Sequence, residues 1–449
     1  MSRFIGLFAA AALAAAALSA GAGSTPTVAY ACTGSSTVDE AELQPLIDAG
    51  GSITLHGPAA CAGNYVASGV TVTIAGAGGG VTMDGGGTGS VLIADDATVT
   101  LSNLTLTNGN GSGVDEPGDP PGANGGGVSA TDSTLTVDHC RIVGNNANDQ
   151  GGAIHASESD VTVTDSVLAD NRSAEGGGGI DTDEDVDLTI AGSTISGNST
   201  GPHGGGIEAF DGSLAISDST VSSNAVTDLT DFRSGGGIWT GLTDVAITNS
   251  TIRNNSSTGY GGGIGYSGGP GMSMSVTGST VTGNRAAVGG GGIRNDAYYG
   301  DARLVLDDSL VAGNTAAQGG GVDVFGLHGF TSSLTVTDSR IGGNRAWNGL
   351  GGGIDSYVDP SGGATAITVA SSTIGASSSR AHDGNQALWG GGIAANGANG
   401  SATIVLLPGA ALVGNVAAFD GGGMFTRNGA TVQVGRSVTM LLNRPDNAN

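Results

Sequence analysis

The sequence predicts an all-β fold, a single parallel β-solenoid of roughly a dozen coils with three strands in each coil. Three repeated segments lead to this fold class. A run of glycines followed by isoleucine or valine recurs along the chain, as in GGAI at 151–154 and GGGI at 204–207. An alternating apolar segment and an apolar-x-x-Asn segment recur with it. In a solenoid, such repeats bury their inward faces by stacking on one another.

The three repeated segments are predicted to be three short strands. Apolar and polar residues alternate in LTV at 135–137 and LAI at 214–216, which is typical of a strand with one buried face. Asp, Ser, Gly and Asn fill the corners between strands because these residues tolerate tight turns and positive φ. Beyond the N-terminal segment, only VDEAELQPLIDA at 38–49 indicates a short helix.

The asparagine of each repeat is expected to form a structural ladder. Equivalent residues of a solenoid stack above one another, so each side-chain amide can hydrogen-bond to the amides of the neighbouring coils. The ladder thus satisfies a polar group at the same corner of every coil. Its predicted members are Asn145, Asn171, Asn198, Asn224, Asn255, Asn284, Asn314, Asn344 and Asn415.

A second column of small residues is predicted at another corner. Cys140 occupies this position in its own coil, so we interpret it as a buried packing residue; the alternative is a reactive thiol. In the other coils the position is serine, at residues 166, 193, 219, 250, 279, 309, 339 and 372.

The first residues are typical of a secretory signal peptide. MSRFIGLFAAAALAAAALSAGAG has a basic start, an apolar run and then small residues. We assign the signal to 1–31, with cleavage after Ala31 or, alternatively, near Ala20 or Ala22. A secreted, extracellular protein is therefore expected. No later apolar stretch is long enough to span a membrane.

Two further regions follow the predicted signal peptide. Residues 32–100 have irregular strand patterns and suit an N-terminal cap with the first coils, and 101–449 form the repeat domain. Export permits disulfides, and Cys32 and Cys61 are placed to clasp the cap. The alternative for Cys32 is lipid attachment after cleavage at Ala31.

The composition excludes one class of partner. The 449 residues contain 40 acidic and 14 basic residues, all of the latter arginine, for a net charge of −26. Nucleic-acid binding is excluded because phosphates would be repelled. A divalent cation or a basic partner is compatible with this charge, and we expect a monomer.

The repeats resemble a known group of proteins. GGAI at 151–154, together with the GGGI and I-x-x-N segments of later repeats, is similar to the repeats of polymorphic outer membrane proteins and of bacterial right-handed parallel β-helices of the pectate-lyase-like superfamily. The resemblance covers about residues 100–443 and implies a right-handed parallel β-helix. Where polymorphic outer membrane proteins have phenylalanine before the asparagine, this chain has Ile, Val or Leu.

Acidic residues follow the glycine-led strand in the early repeats, as in DTDED at 181–185. Coils ~4.8 Å apart would bring such oxygens together, as a Ca²⁺ site requires. The alternative interpretation is a solvated acidic face. The predicted metal ligands are Asp181, Asp183, Asp185 and Glu208.

The same acids are candidates for catalysis. Asp181 and Glu208 occupy equivalent positions in consecutive repeats, so they could lie at the short separation that retaining glycosidases use. Asp323 and Asp355 repeat this pairing. The resemblance to pectate lyases implies an arginine base with lysine and Ca²⁺, and that set is incomplete in a chain without lysine.

Aromatic residues concentrate in the late repeats. The segments 294–303, 323–333 and 355–363 follow the glycine-led strand in successive coils, so they must emerge from one edge of the solenoid. We predict an exposed patch there that binds a glycan or a cell-surface partner; the alternative is that the rings cap the core. The predicted members are Tyr298, Tyr299, Phe325, Phe330 and Tyr357.

The leading functional hypothesis is a secreted, non-catalytic protein for extracellular or cell-surface binding or adhesion. The alternative is a polysaccharide-active enzyme, a lyase or a glycoside hydrolase. A groove with converging acids would favour the enzyme, whereas a smooth rod with an aromatic patch would favour binding. Ice binding would need an unbroken Thr-x-Thr ladder, and TVT at 162–164 is followed by LAI at 214–216.

Overall fold

Consecutive coils of the chain pair with one another in parallel and in register. The computed structural model describes residues 27–111, 124–228, 234–378 and 383–446, which contain 48 strands and one helix, numbered here in chain order. Residues 1–26 of the predicted signal peptide lie outside the described residues. The prediction of an all-β parallel solenoid is confirmed.

The first sheet has 26 strands in two ladders. The glycine-led ladder consists of β4 (Tyr65–Ser68), β7 (Leu92–Asp95), β10 (Val128–Thr131), β13 (Ile154–Ser157), β16 (Ile180–Asp183), β20 (Ile207–Ser217), β23 (Ile238–Thr248), β26 (Ile264–Ser267), β30 (Ile293–Asp296), β34 (Val322–Gly326), β38 (Ile354–Val358), β42 (Ile393–Asn396) and β46 (Met424–Arg427). The alternating ladder consists of β1 (Thr27–Ala31), β2 (Gly51–His56), β5 (Thr71–Gly76), β8 (Thr98–Ser102), β11 (Thr134–Asp138), β14 (Asp160–Thr164), β17 (Val186–Ala191), β27 (Met274–Thr277), β31 (Ala302–Asp307), β35 (Thr331–Thr337), β39 (Ala364–Ala370), β43 (Ser401–Leu406) and β47 (Thr431–Val434).

The other two sheets lie on the remaining sides of the solenoid. The second sheet has 14 strands: β3 (Cys61–Ala62), β6 (Val81–Asp84), β9 (Leu104–Thr107), β12 (Arg141–Val143), β15 (Val167–Ala169), β18 (Thr194–Ser196), β21 (Thr220–Ser222), β24 (Thr251–Arg253), β28 (Thr280–Thr282), β32 (Leu310–Ala312), β36 (Arg340–Gly342), β40 (Thr373–Gly375), β44 (Ala411–Val413) and β48 (Thr439–Leu441). The third sheet has eight: β19 (Ser199–Thr200), β22 (Ala225–Val226), β25 (Ser256–Ser257), β29 (Arg285–Ala286), β33 (Thr315–Ala316), β37 (Arg345–Ala346), β41 (Gln386–Trp389) and β45 (Val416–Asp420).

The three predicted sheets are present, but the strands are distributed among them differently. The glycine-led and alternating strands share one sheet because β20 and β23, each of 11 residues, run unbroken through both ladders. The third sheet comes instead from the residues that follow the ladder asparagine. The 14 stacked strands of the second sheet give 14 coils, and a rise of ~4.8 Å per coil gives a rod on the order of 60 Å long.

The core consists of stacked columns of apolar side chains. Ile154 pairs with Ile180, which pairs with Ile207, and all three side chains are fully buried. Because the strands alternate, the residue that follows each of these isoleucines lies on the opposite face of the sheet. That opposite face of the glycine-led ladder carries the candidate functional site.

A continuous asparagine ladder runs through the buried corner after the second sheet. The backbone N–H and Nδ2 of Asn284 both donate to Oδ1 of Asn314, at 2.9 and 3.0 Å. Nδ2 of Asn284 also donates to the carbonyl oxygen of Ile252, at 3.1 Å. The ladder consists of Asn145, Asn171, Asn198, Asn224, Asn255, Asn284, Asn314, Asn344, Asn385, Asn415 and Asn443.

Hydroxyl groups form a second ladder at the corner between the alternating strands and the second sheet. The backbone N–H of Ser166 donates to Oγ of Ser193, and this pattern continues in later coils. Cys140 occupies the position in its coil: its N–H donates to Oγ of Ser166, and its Sγ donates to the carbonyl of Asp138. Burial raises the pKa of the Cys140 thiol to about 11, so the thiol stays protonated.

One helix covers the N-terminal end of the solenoid. Helix α1 (Ser36–Asp48) buries Leu43 and Ile47 over the first coils. The predicted short helix is confirmed. No helix within the described residues is long and apolar enough to cross a membrane.

The cap is also tied together by polar and covalent contacts. The buried Asp39 carboxylate accepts hydrogen bonds from the Tyr30 hydroxyl at 2.8 Å and from the N–H groups of Thr33 and Ala62, both at 2.9 Å. Cys32 and Cys61 form a disulfide next to this network. Because Tyr30 belongs to β1, which pairs with β2, the segment Thr27–Ala31 is part of the folded cap.

We predict that Asn314→Ala lowers the free energy of unfolding by about 1–3 kcal/mol, because it leaves buried amide groups of the neighbouring asparagines without partners. Chemical denaturation of both proteins measures the difference. The matched control is Asn348→Ala, at an exposed asparagine that should change the value by less than about 0.5 kcal/mol. Equal unfolding midpoints for Asn314→Ala and the parent would show that the ladder does not stabilise the fold.

Candidate functional site

One outward-facing column of side chains runs along the glycine-led ladder. It contains the second residue of each strand, on the face opposite the core. In-register pairing places each member beside its equivalent in the next coil. Eight steps of ~4.8 Å make this column on the order of 40 Å long. From β13 to β42 the outward column consists of His155, Asp181, Glu208, Trp239, Gly265, Arg294, Asp323, Asp355 and Ala394.

The outward column is buried although it faces away from the core. Asp181 is fully buried and Glu208 is only 6% exposed. The glycine run before each strand folds back against the column: a Cβ at Gly151, where φ is 66°, would lie 2.7 Å from the Cβ of His155. Because glycine has no Cβ, the glycine run leaves room for the side chains of the outward column. Buried charges are costly unless they are paired or neutralised, so this burial is unusual.

At the early end of the column lies an acidic cluster, which we define as His155, Asp181, Asp183 and Glu208. Nδ1 of His155 lies 3.2 Å from Oδ2 of Asp181. Asp183 is two residues after Asp181 on β16, so it lies on the same face of the strand. Beside the cluster, Nδ1 of His203 lies 3.5 Å from Oε1 of Glu208.

Burial favours the protonated form of two carboxyl groups of the acidic cluster, Asp181 and Asp183. Burial, together with the neighbouring Glu208, raises the pKa of Asp181 well above its usual value. Burial and the neighbouring Asp181 raise the pKa of Asp183 to about 8. Oδ1 of Asp181 and Oε2 of Glu208 are buried and accept no hydrogen bond. Both atoms lie 2.5 Å from the point where a Cβ on Gly176 would stand, so they converge on one space.

Of the predicted metal ligands, Asp181 and Asp183 belong to the group whose ligand atoms lie within 4.8 Å of one another, and Asp185 and Glu208 lie outside that group. Asp185 is exposed on the turn after β16, with φ of 57°, and lies outside the group whose ligand atoms are close together. His155 lies in that group. His203, which comes from the loop before the glycines, was missed; its only signal in the sequence is its place in GPHGGGI at 201–207.

A series of rings leads from the acidic cluster to the later coils. His203 stacks on Trp239 at 5.3 Å between ring centroids, and Trp239 stacks on Phe210 at 6.1 Å. Tyr299 meets Phe210 edge-on at 5.6 Å and Tyr298 at 4.9 Å. Because these residues are far apart in the chain, only the stacking of the coils brings them together.

An aromatic pocket of about 440 Å³ follows at the later end of this ring series. Phe325 and Tyr357 stack at 5.5 Å with their planes 17° apart, and Tyr298 meets His328 at 5.5 Å. The pocket is lined by Tyr260, Arg294, Asp296, Tyr298, Phe325, Leu327, His328, Tyr357 and Asp359.

Arg294 forms the floor of this pocket. Its guanidinium lies 4.0 Å from the ring centroid of Phe325 and 4.6 Å from that of Tyr260. It forms an ion pair with Asp323, and its Nε lies 3.6 Å from Oδ2 of Asp296. The arginine charge is thus neutralised inside the protein, and it also holds the rings of the pocket by cation–π contact.

Most of the predicted aromatic patch lies at this site. Tyr298, Phe325 and Tyr357 line the pocket, and Tyr299 contacts Tyr298 beside it. Phe330 is 39% exposed and is not among the described residues that line the pocket. The N–H of Phe330 donates to the carbonyl of Leu327 in the turn before β35.

The two candidate catalytic pairs have different surroundings. Asp181 and Glu208 pair in register on adjacent strands, and each keeps one buried oxygen without a hydrogen bond. Asp323 and Asp355 also pair in register, but Asp323 is bound by Arg294. Of the two pairs, only the first has unoccupied acceptor oxygens on both members.

The fold and the aromatic pocket define a parallel β-solenoid with a site on its outer face. The family described as right-handed beta helix region matches residues 67–241 and 126–301, which together cover more than half of the chain. The protein belongs to the right-handed β-helix family. No curated protein and no solved structure matches this chain.

We predict that Asp355→Asn reduces the loss of stability between pH 5 and pH 8. Burial and the adjacent Asp323 raise the pKa of Asp355 to about 8 in the folded protein, partly offset by a hydrogen bond from Ser356 and by Arg427 and Arg294. The unfolded value is about 4, so the unfolded chain binds fewer protons in this range and stability falls as the pH rises.

Melting temperatures of the parent and Asp355→Asn at pH 5 and pH 8 test this prediction. Asp338→Asn, at an exposed corner carboxyl, is the matched control and should follow the parent. The same decrease in melting temperature for Asp355→Asn and the parent would contradict the prediction.

Proposed function

We propose that the protein binds a neutral polysaccharide chain along the ring series from His203 to Tyr298 and into the aromatic pocket. The observation that carries this proposal is the aromatic pocket, in which the stacked pair Phe325 and Tyr357 and the ring of Tyr298 surround a cavity of about 440 Å³. Aromatic faces bury the apolar faces of sugar rings, while nearby carboxyl groups supply hydrogen bonds to hydroxyls.

The series of rings supports a long ligand. The ring series from His203 to Tyr298 continues from the pocket toward the acidic cluster. A linear ligand lying parallel to the solenoid axis would therefore meet rings from several consecutive coils. This arrangement supports binding of a chain more than binding of a single sugar.

The charges favour a neutral chain over an acidic one. The net charge of the protein is −26, and the one arginine of the pocket is already paired with Asp323 and lies close to Asp296. A polyanionic ligand would be repelled by this field and would find no free cation in the described part of the pocket. Hydroxyl-rich neutral glycans avoid this cost.

A second candidate function is cleavage of the bound polysaccharide. It is favoured by the convergence of Oδ1 of Asp181 and Oε2 of Glu208 on the space above Gly176. Two carboxyl groups on adjacent coils suit the short separation of a retaining glycosidase. The raised pKa of Asp181 would let it hold the proton that a general acid needs.

We predict that Tyr357→Ala weakens glycan binding roughly three- to tenfold without unfolding the protein, since it removes one ring of a stacked pair. Affinity electrophoresis in gels that contain β-glucan, xylan, mannan or polygalacturonate measures the binding. The parent should be retarded by at least one neutral polysaccharide and not by polygalacturonate. Phe330→Ala, outside the pocket, is the matched control and should bind like the parent.

Two results would decide against the non-catalytic binding proposal. If no neutral polysaccharide slows the migration of the parent protein in the gel, the protein does not bind glycans at the ring series and the aromatic pocket as proposed. Release of new reducing ends in the same incubations, lost in Glu208→Gln, would instead establish the enzyme.

We also propose that the protein is exported and keeps residues from Thr27 onward. The disulfide Cys32–Cys61 supports an oxidising compartment. Cleavage after Ala31 would remove β1 and the hydrogen bond from Tyr30 to Asp39, whereas cleavage near Ala20 or Ala22 keeps both.

We therefore predict that the secreted protein begins upstream of Thr27. N-terminal sequencing of material from the culture medium measures the start of the chain. A mature protein that begins at Cys32, or an uncleaved chain retained inside the cell, would contradict this proposal.

A further inference from the structure

Three side chains of the acidic cluster have the spacing of metal ligands. His155, Asp181 and Asp183 each offer one ligand atom, and these atoms all lie within 4.8 Å of one another. They come from two adjacent strands: β13 supplies the imidazole, and β16 supplies both carboxylates on one face. Because the strands belong to a rigid sheet, the three ligand groups are held in place by the backbone.

A second, independent feature indicates that a ligand belongs there. Asp181 is fully buried, yet its Oδ1 has no hydrogen-bond partner. Oε2 of Glu208 is equally buried and without a partner. Both oxygens point to the same space above Gly176. Two buried acceptor oxygens that face each other are costly unless a proton or a cation lies between them.

We propose that the acidic cluster binds one divalent transition-metal ion of the Zn²⁺ or Mn²⁺ type, with His155, Asp181, Asp183 and Glu208 as its ligands. The ion would be held on the outer face of β13, β16 and β20. Glu208 joins the set because its register position on β20 is next to Asp181.

The imidazole of His155 favours a transition-metal ion over Ca²⁺ or Mg²⁺. Ca²⁺ and Mg²⁺ are bound almost entirely by oxygen atoms. A site with one imidazole nitrogen and carboxylate oxygens suits Zn²⁺, Mn²⁺ or Fe²⁺. The Ca²⁺ expected from the acids alone is therefore replaced here by a transition metal, because His155 lies among the ligands.

The ion site is separate from the aromatic pocket. Asp181 and Arg294 are four steps apart in the outward column, or ~19 Å. Metal binding does not depend on the proposed glycan binding, and either can fail while the other holds.

Isothermal titration of the EDTA-treated mature protein with Zn²⁺, Mn²⁺ and Ca²⁺ tests the proposal. The parent should bind one equivalent of Zn²⁺ or Mn²⁺, with Ca²⁺ weaker by at least about tenfold. Saturating Zn²⁺ should also raise the melting temperature. His155→Gln should lower the Zn²⁺ affinity by on the order of 10–100-fold or more.

Two glycine variants provide a matched pair. Gly176→Ala would place a Cβ 2.5 Å from the converging oxygens of Asp181 and Glu208, so it should abolish Zn²⁺ binding. Gly289 begins the equivalent glycine run of a later coil, and a Cβ there would meet Oδ2 of Asp323 at 2.5 Å. Gly289→Ala should therefore bind Zn²⁺ like the parent.

Three results would overturn the proposal. They are a folded parent that binds neither Zn²⁺ nor Mn²⁺, a site that binds Ca²⁺ more tightly than both, and Zn²⁺ binding that is unchanged in Gly176→Ala. Circular dichroism confirms that each variant is folded. If His155→Gln does not fold, Asp183→Asn, at a half-buried ligand, replaces it with the same expected loss.

Discussion

In-register hydrogen bonding between consecutive coils is the constraint on which the rest of this structure depends. Because each backbone segment pairs with its equivalent one coil away, every side chain meets the residue at the same position of the next repeat. The asparagine ladder makes this register specific: Oδ1 of Asn314 accepts from both the backbone and the side chain of Asn284. A slip by one residue would place an apolar side chain against these buried amides, at a large cost.

The same register explains how a site forms from residues that are far apart in the chain. A position that faces the core must repeat the same type of side chain, whereas a position on the outer face is free to vary from coil to coil. The outward column therefore changes from acids through an indole to an arginine, while the isoleucine next to each of them hardly changes. Function can be assembled along one face without disturbing the core.

Much of the fold could be predicted from the sequence because stacking repeats one pattern many times. The strand segments, the short helix and the position of Cys140 all follow from local periodicity. Asn385 was missed because a longer corner separates it from Ile374, so the apolar-x-x-Asn spacing is lost there. The joining of two ladders into one sheet was not predicted, since nothing in the sequence shows that β20 and β23 continue through a corner.

The candidate site was predictable only in part, for a physical reason. Equivalent positions in the repeats indicated that Asp181 and Glu208 are neighbours, because pairing between coils is regular. Loops do not repeat, so the stacking of His203 on Trp239 and the position of Phe330 outside the pocket could not be predicted from spacing. The burial of Asp181 and Glu208 could not be predicted either, because outward-facing positions are usually solvated.

Gly265 shows a consequence of this architecture for how such proteins evolve. It lies in the outward column between Trp239 and Arg294, and a Cβ there would meet the carbonyl oxygen of Ser234 at 2.2 Å. Duplication or loss of a whole repeat would leave the ladder and the core intact, because any coil can stack on any other. It would nevertheless change which side chains are neighbours in the outward column. In a solenoid of this kind, recombination between repeats can alter the side chains of the outer face while the fold persists.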